Sequence, residues 1–516
     1  MKHKLILLLS IFVLALTNCN SQKTVTKTVS SAKKPNILFI LVDDFGWRDM
    51  AGTGSTFYET PNMDRLMAQS MTFTQAYSSY PRCVPSRYSI MTGSYPARMA
   101  TGGKDEGLRI AEPNISIGQA MKNSGYHTFY IGKWHLGGEE DAPNTKGFDQ
   151  SIATGAAGAT ASHFAPYNKG KEGGSSEAKF PILGLDDAPE GECLEDRLSD
   201  ETIKLLKQNA HKSQPFFGIL AQYAVHTPIQ GKKEYIEYFK EKLKKNPQVG
   251  PDYEKESAGE TKIKQDNCTY AAMIKAVDDG VGKILKTLDE LGIADNTVVV
   301  LTSDHGGLSS RGNNREVATT NRPLRAGKGH LYEGGIRVPL IVKWAGVVKG
   351  GTKSDAPILG ADHFSTMVEI GGGTVPQNQV NDGKSYASIL RGGKFDPNRP
   401  LYWHNWAPRP TSTGDIFSSA VRVGDYKLVD LFAEGKQELY NLKNDVGESK
   451  DISAKNPEMT KKLYTQLQEW RTSMGINQKS LENLEKKMEK KAERKEVKKE
   501  ERKEQRKAEK TKEEKN

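Results

Sequence analysis

The sequence predicts an α/β protein with a large, mostly parallel sheet between helices, followed by a small antiparallel α+β unit. Three observations lead there. Apolar runs that end in polar loops recur along the chain, in "PNILFILVDDFGW", "HTFYIGKWHLG", "PFFGILAQYAVHTP", "NTVVVLTSDHGG" and "RVPLIVKWAG". Helical stretches fall among them, and strands alternating with helices indicate a parallel sheet. After "GKSYASILRGG" the chain changes to short, aromatic, turn-punctuated segments, as in a small antiparallel sheet.

The 516 residues exceed what one core usually holds, so a large unit and a smaller one are expected. Residues 1–19 read as an export signal: Met1 to Lys4 are basic and the run Leu5 to Leu16 is apolar but too short for a permanent spanning helix. Leu16, Thr17, Asn18 and Cys19 resemble a bacterial lipoprotein box, which makes Cys19 a candidate for lipidation and membrane anchoring; the alternative is a cleaved signal with Cys19 incidental. An exported, periplasmic protein is expected, on the outer membrane if lipidated. Residues 20–34, rich in Ser, Thr and Lys, form a tether.

The catalytic unit is expected over 35–395. Its first strand is the buried run Ile37 to Val42, with helices around Asn62 to Ser70, Ser116 to Ser124 and Tyr270 to Leu291. The small unit spans 396–475 and closes with a helix around Pro457 to Met474. The tail, 476–516, is low in complexity, with fifteen Lys or Arg and eleven Glu from Leu481 onward. It supplies part of the net charge of +10, so the body is only mildly basic and its charge reads as solvation; no nucleic-acid partner is expected. Four cysteines exclude a disulfide scaffold. Cys193 and Cys268 are either a pair or free buried thiols.

The chemistry gathers at strand ends, where open α/β sheets bind ligands. Asp43 and Asp44 follow the first strand, and Asp304 and His305 follow another. Carboxylates converging on one sheet edge repel unless a cation neutralises them, and oxygen-rich ligation favours Ca²⁺ or Mg²⁺ over Zn²⁺. Arg87, Lys133, His135, His226 and Lys328 lie on separate loops after buried strands or in Gly-rich turns. Together they suit a pocket for a tetrahedral oxyanion, with imidazole or ammonium to protonate a leaving oxygen.

"CVPSR", Cys83 to Arg87, resembles the Cys-x-Pro-Ser-Arg signature of type I sulfatases, of the alkaline phosphatase superfamily. "DDFGW", "GKWHLG", "HTP", "SDHGG" and "GKGHLYEGGIRVP" are similar to the other family blocks in order and spacing. The resemblance covers about Pro35 to Gly475. It implies an alkaline-phosphatase-like fold and a sulfatase. It further implies that a formylglycine-generating enzyme oxidises Cys83 to formylglycine (3-oxoalanine). The hydrated aldehyde has an exit that a thiol lacks: one hydroxyl attacks sulfur, and the other expels sulfate as the carbonyl reforms. By the same resemblance, Asp43, Asp44, Asp304, His305 and an oxygen of modified Cys83 are ligands of one Ca²⁺. His305 stands where many members have Asn, which makes it a ligand or a neighbour of one. Arg87 holds the hydrate, Lys133 and His135 bind sulfate or the aldehyde hydroxyls, and His226 and Lys328 contact the bridging oxygen as leaving-group acid.

The motifs leave the alcohol open. Specificity is expected in the loops "TGGKDEGLR", 155–187, 226–265 and "SSRGNNREVATTNRPLR", whose Arg311, Arg315, Arg322 and Arg325 are either partners for a polyanionic glycan or merely exposed charge. Trp403 and Trp406 are either a sugar-stacking platform or core. The expected substrate is a sulfated polysaccharide, of marine algal galactan, ulvan or glycosaminoglycan type. A phosphoester or phosphonate hydrolase on the same fold, and a non-catalytic glycan-binding lipoprotein, are the competing readings.

Overall fold

A computed structural model describes residues 34–102, 108–169, 181–314 and 316–476 and the two positions 482 and 486. The signal, Cys19, the tether, nearly all of the charged tail and Arg315 lie outside the described residues.

The first run forms the strand Asn36–Val42, buried at every residue. Leu38, Ile40 and Val42 join one core with Leu198, Leu206, Ile274 and Val277. Ile37, Phe39 and Leu41 join another with Val84, Ile90, Phe364 and Met367. A strand with helices on both faces has no polar side, which is why its sequence does not alternate. Each such side chain contributes about 1.5–3 kcal/mol on full burial.

This strand pairs in parallel with Phe216–Ala221 on one side and Thr297–Ser303 on the other. His127–Gly132 and Gln150–Ile152 continue the first side in parallel. Leu340–Lys343, Met71–Phe73 and Thr352–Ser354 complete an eight-stranded sheet. Leu340–Lys343 runs antiparallel to Thr297–Ser303, whereas the sequence suggested one more strand of the parallel set. The reason is the connection. A parallel crossover needs a dozen or more residues that carry the chain back across the sheet, usually as a helix. Among the described residues between these strands the one α-helix is Glu333–Ile336, four residues long. The chain therefore stays at the same sheet edge and re-enters from it.

The expected helices are present as Pro61–Ala68, Ile117–Asn123, Cys268–Glu290 and Pro457–Ser473. Ser116 caps the second, its hydroxyl accepting from the Gln119 N–H at 3.0 Å. Cys83–Thr92, Leu194–Asn209 and Lys233–Lys245 are additional. Among the described residues no helix is long and apolar enough to cross a membrane.

Four antiparallel strands, Leu401–Asn405, Ser418–Val423, Tyr426–Leu431 and Lys436–Asn441, form the second sheet. Leu463, Leu467 and Trp470 of the last helix share a core with it, as do Tyr77, Tyr80 and Tyr95 of the main body. Trp403 and Trp406 are 1% and 0% exposed, so both are core and neither is a sugar platform. Cys193 and Cys268 are free thiols, which settles the pairing left open by the sequence.

Candidate active site

Val42 lies opposite Ser303 in the sheet register, so the residues that follow, Asp43, Asp44, Asp304 and His305, meet at one edge. Gly132 lies opposite Ala221 and brings Lys133 beside them. A side chain at Gly132 is excluded: its φ is 93°, and a Cβ would stand 1.9 Å from the Ala221 carbonyl oxygen. Asp44 and His135 adopt left-handed backbone at φ 57° and 61°, a conformation that costs non-glycine residues energy and clusters at functional sites.

Cys83 opens a helix whose ten residues are all buried. Its Sγ lies 3.2 Å from His305 Nε2, 3.6 Å from Asp43 Oδ1 and 3.7 Å from Lys328 Nζ. Above it is a cavity of about 290 Å³ lined by Cys83, His135, Gly158, His226, Lys328 and Arg409, among others. Lys328 Nζ donates to both oxygens of Asp44 at 2.7 and 2.8 Å, and Lys133 Nζ to Asp43 Oδ2. Arg87 donates from Nε to Asp304 at 2.9 Å and from one terminal nitrogen to the Lys133 carbonyl at 2.7 Å. Its other terminal nitrogen, 3.6 Å from Asp43, is buried and has no hydrogen-bond partner among the described residues.

The charges explain one another. Burial alone would raise the Asp43 carboxyl, but Lys133, His226, Arg87 and Lys328 hold it well below the usual carboxylate range. Asp44 is lowered in the same way against burial, chiefly by Lys328. Burial and neighbouring Asp43 push Asp304 up to about 7. Burial and Asp43 also oppose a thiolate at Cys83, yet Lys133, Lys328 and His305 outweigh them and bring it down to about 5. The cavity floor therefore favours negative charge on the first side-chain heavy atom beyond Cβ at position 83.

His305 is 0% exposed, and its Nδ1 faces the Gly306 carbonyl at 3.0 Å while Nε2 faces Asp44 at 3.2 Å and Asp304 at 3.7 Å. Burial resists its protonation, but Asp304, Cys83 and Asp44 raise it to about 9. His226 donates from Nδ1 to the Thr227 carbonyl at 2.8 Å, so Nε2 points toward Asp44, 4.0 Å away. Burial and Lys328 hold its imidazole below its ordinary value. Burial, Lys133 and Arg87 lower His135 further, and its buried Nδ1 lacks a hydrogen-bond partner among the described residues.

Asp43, Asp44, Cys83 and His305 each offer a ligand atom, all within 4.8 Å of one another, and Asp304 stands beside them. Two carboxylates held by ammonium groups are a donor set that suits a hard divalent cation. All ten residues expected at the site thus share one sheet edge. Arg82 and Arg409 line the cavity as well and were not expected, while Gly158 and Ala159, also in its lining, belong to the loop 155–187 in which specificity was expected. Arg82 was legible as a cation next to the signature cysteine. Arg409 gave no signal, because it belongs to the second sheet's loops and only tertiary packing brings it here.

The loop arginines behave differently. Arg311 pairs with Glu260 at 2.8 Å, Arg325 with Glu256 at 2.8 Å, and Arg322 with Glu254. These acids belong to the hairpin Tyr253–Glu256 and Gly259–Lys262, so the charge is matched within the molecule.

A hydrolase of anionic esters, built on an open α/β sheet, is the class this sheet edge defines. The sulfatase family model matches residues 35–373, and a model for the C-terminal part of N-sulphoglucosamine sulphohydrolase matches 326–473. The chain belongs to the sulfatase family, within the alkaline-phosphatase-like superfamily, and is a sulfuric ester hydrolase. A sulfatase of Formosa agariphila is 29% identical, covering 85% of this chain and 89% of the relative. N-acetylgalactosamine-6-sulfatase of Canis lupus familiaris is 30% identical over 76% and 71%. An ulvan-active sulfatase of Formosa agariphila is 26% identical over 88% and 85%. Among solved structures, Ps i-CgsB in complex with k-i-k-neocarrahexaose superposes with a TM-score of 0.68 at 29% identity, over 85% of this chain and 92% of that one. The family implies a metal ion and formylglycine, and the four-group cluster fits the former.

Proposed function

We propose that the protein removes sulfate from a sulfated polysaccharide, using a hydrated formylglycine made from Cys83 and one Ca²⁺. The observation that carries this reading is the placement of Cys83 Sγ, within 3.7 Å of Asp43, His305 and Lys328 at the floor of the cavity. That sulfur stands in for a hydroxyl of the hydrated aldehyde. The glycan part of the reading is supported by the relatives named for ulvan and N-acetylgalactosamine sulfate and by the neighbour holding a carrageenan-type oligosaccharide.

Asp43, Asp44, Asp304 and His305 would hold the cation, which when bound would neutralise the carboxylates and supply Lewis-acid stabilisation of charge on the sulfate. The formylglycine hydrate supplies a nucleophile that releases its own product when the carbonyl reforms. The remaining roles belong to this chain's own side chains. Arg87 orients the hydrate through the terminal nitrogen left without a hydrogen bond. Lys133, fully buried, and His135, which lines the cavity, bind the sulfate oxygens. His226, whose Nε2 is directed toward the cavity, and Lys328 hold a proton at the bridging oxygen, without which a sugar alkoxide leaves poorly.

Tryptic mass analysis of the Cys83 peptide, from protein made with a formylglycine-generating partner, is expected to show an aldehyde that traps a hydrazine probe. Sulfate release from a panel of ulvan, carrageenan and glycosaminoglycan oligosaccharides is expected to find at least one substrate. Turnover of small aryl sulfates with none of the glycans would sink the polysaccharide part. An unmodified thiol in native-host protein would sink the mechanism.

A further inference from the structure

His163 is 0% exposed, does not line the cavity and belongs to no part of the machinery described above. Its Nδ1 lies 2.6 Å from Glu195 Oε1, and its Nε2 lies 3.2 Å from the backbone carbonyl oxygen of His226. Both neighbours are acceptors, so an imidazolium at His163 donates to both and a neutral ring to one of them. Glu195, 2% exposed, occupies the first turn of Leu194–Asn209, and its second oxygen lies 3.0 Å from Cys193 Sγ. The backbone of His163 repeats the link. Its N–H donates to Gln230 Oε1 at 2.7 Å, and its carbonyl accepts from the Leu194 N–H at 2.9 Å. Gly158, in the same segment, lies so close to His135 that a Cβ there would stand 2.3 Å from the ring.

We propose that His163 and Glu195 are a positioning pair that sets the direction of the His226 imidazole toward the leaving oxygen. The inference rests on the leaving-group role of His226 given above. The coupling is short: His163 holds the carbonyl of His226 itself, and the His226 ring is held to the next carbonyl, that of Thr227, so the two hydrogen bonds fix the consecutive peptides that set the ring's direction. Stability alone is a weak reason for the arrangement. A buried imidazole and carboxylate must be desolvated, and apolar residues of similar volume commonly do as well or better. What an apolar replacement lacks is direction, which hydrogen bonds to a specific carbonyl supply. Neither side chain lines the cavity, so the pair acts through His226.

The test is a leaving-group series. Formylglycine-containing wild type, His163→Leu, Glu195→Ala and Glu195→Gln are assayed on aryl sulfates of decreasing phenol acidity and on an alkyl sulfate. A positioning role predicts a loss that grows as the leaving group worsens. The loss in kcat is roughly 3-fold for 4-nitrophenyl sulfate and about 100-fold for the alkyl ester, within the range of a misplaced general acid, while KM moves less than kcat. Glu195→Gln, which keeps an acceptor for His163, is expected to recover most of what Glu195→Ala loses. A uniform loss along the series, tracking a fall in Tm, would make the pair merely structural and overturn the proposal, as would no loss. If wild type hydrolyses no sulfate ester, the functional reading fails by itself. Crystal structures of Glu195→Ala and wild type then still decide the pair: an unmoved His226 ring overturns its role, and a rotated ring supports it.

Discussion

At Asp43 and Asp44 the fold buries two adjacent carboxylates and hands each an ammonium, Lys133 and Lys328 respectively. Burying such charge is tolerable only when it is compensated, and these lysines supply the compensation. The same carboxylates are therefore expected to bind a divalent cation tightly. Adding Ca²⁺ to chelator-treated enzyme is expected to raise stability by about 2.7 kcal/mol at a hundredfold excess over Kd, read as a shift in Tm, and Asp44→Asn should remove most of the shift. Binding of two Zn²⁺ would count against the proposed site and favour a phosphatase-like centre. This much of the site was legible because charge pairs at strand ends and the "CVPSR" signature are local patterns. Gly158 was legible only as part of the loop 155–187, and Arg409 not at all, since its place depends on a loop that packs against the cavity from a distant part of the chain.

A polar face made a helix legible without guaranteeing that it was read, since Leu194–Asn209 and Lys233–Lys245 also carry one and were missed. Cys268–Glu290 shows such a stripe, whereas Cys83–Thr92 is buried all round and carries Pro85 in its first turn, so it has no period to read. The first of these also anchors another helix. Asp278 accepts from the backbone N–H of Met63 at 2.8 Å and of Asn62 at 3.1 Å, capping the first turn of Pro61–Ala68 from outside. Burial, helped by neighbouring Asp279, raises Asp278 to about 6 despite those bonds. The sign follows from proton counting. Between the unfolded value near 3.9 and the folded value the native state binds more protons, so this carboxyl's contribution to stability is full below pH 4 and is lost as pH rises to about 6. Relative to Asp278→Asn, wild type is expected to lose about 2–3 kcal/mol across that interval, measured by urea denaturation at each pH. A constant difference between the two proteins from pH 4 to 7 would show that Asp278 is ionised throughout in the folded state.

The second sheet meets the body through buried charge as well as through aromatic packing. Lys427, 0% exposed on Tyr426–Leu431, pairs with Glu333 at 3.0 Å and with Glu448 at 2.8 Å. Arg82, the neighbour of Cys83, pairs with Asp415 at 2.7 Å. Asp415 in turn accepts from Asn405 at 2.9 Å, and from the backbone of Arg409 at 3.3 Å. The sequence marked the change of character near residue 395, but it could not reveal these bonds, which join groups far apart along the chain. They imply that the two sheets unfold together. Lys427→Met removes one ammonium and leaves two buried carboxylates facing each other, a change expected to cost about 3–5 kcal/mol. Intrinsic fluorescence should follow it well, because Trp403 and Trp406 lie in the shared core with Tyr77 and Tyr80. Wild type is expected to show one transition by fluorescence and by sulfatase activity at the same urea concentration, and Lys427→Met one transition at lower urea. If the fluorescence change in the variant precedes the loss of activity, the small sheet unfolds independently and the charged junction is not what couples it to the active site.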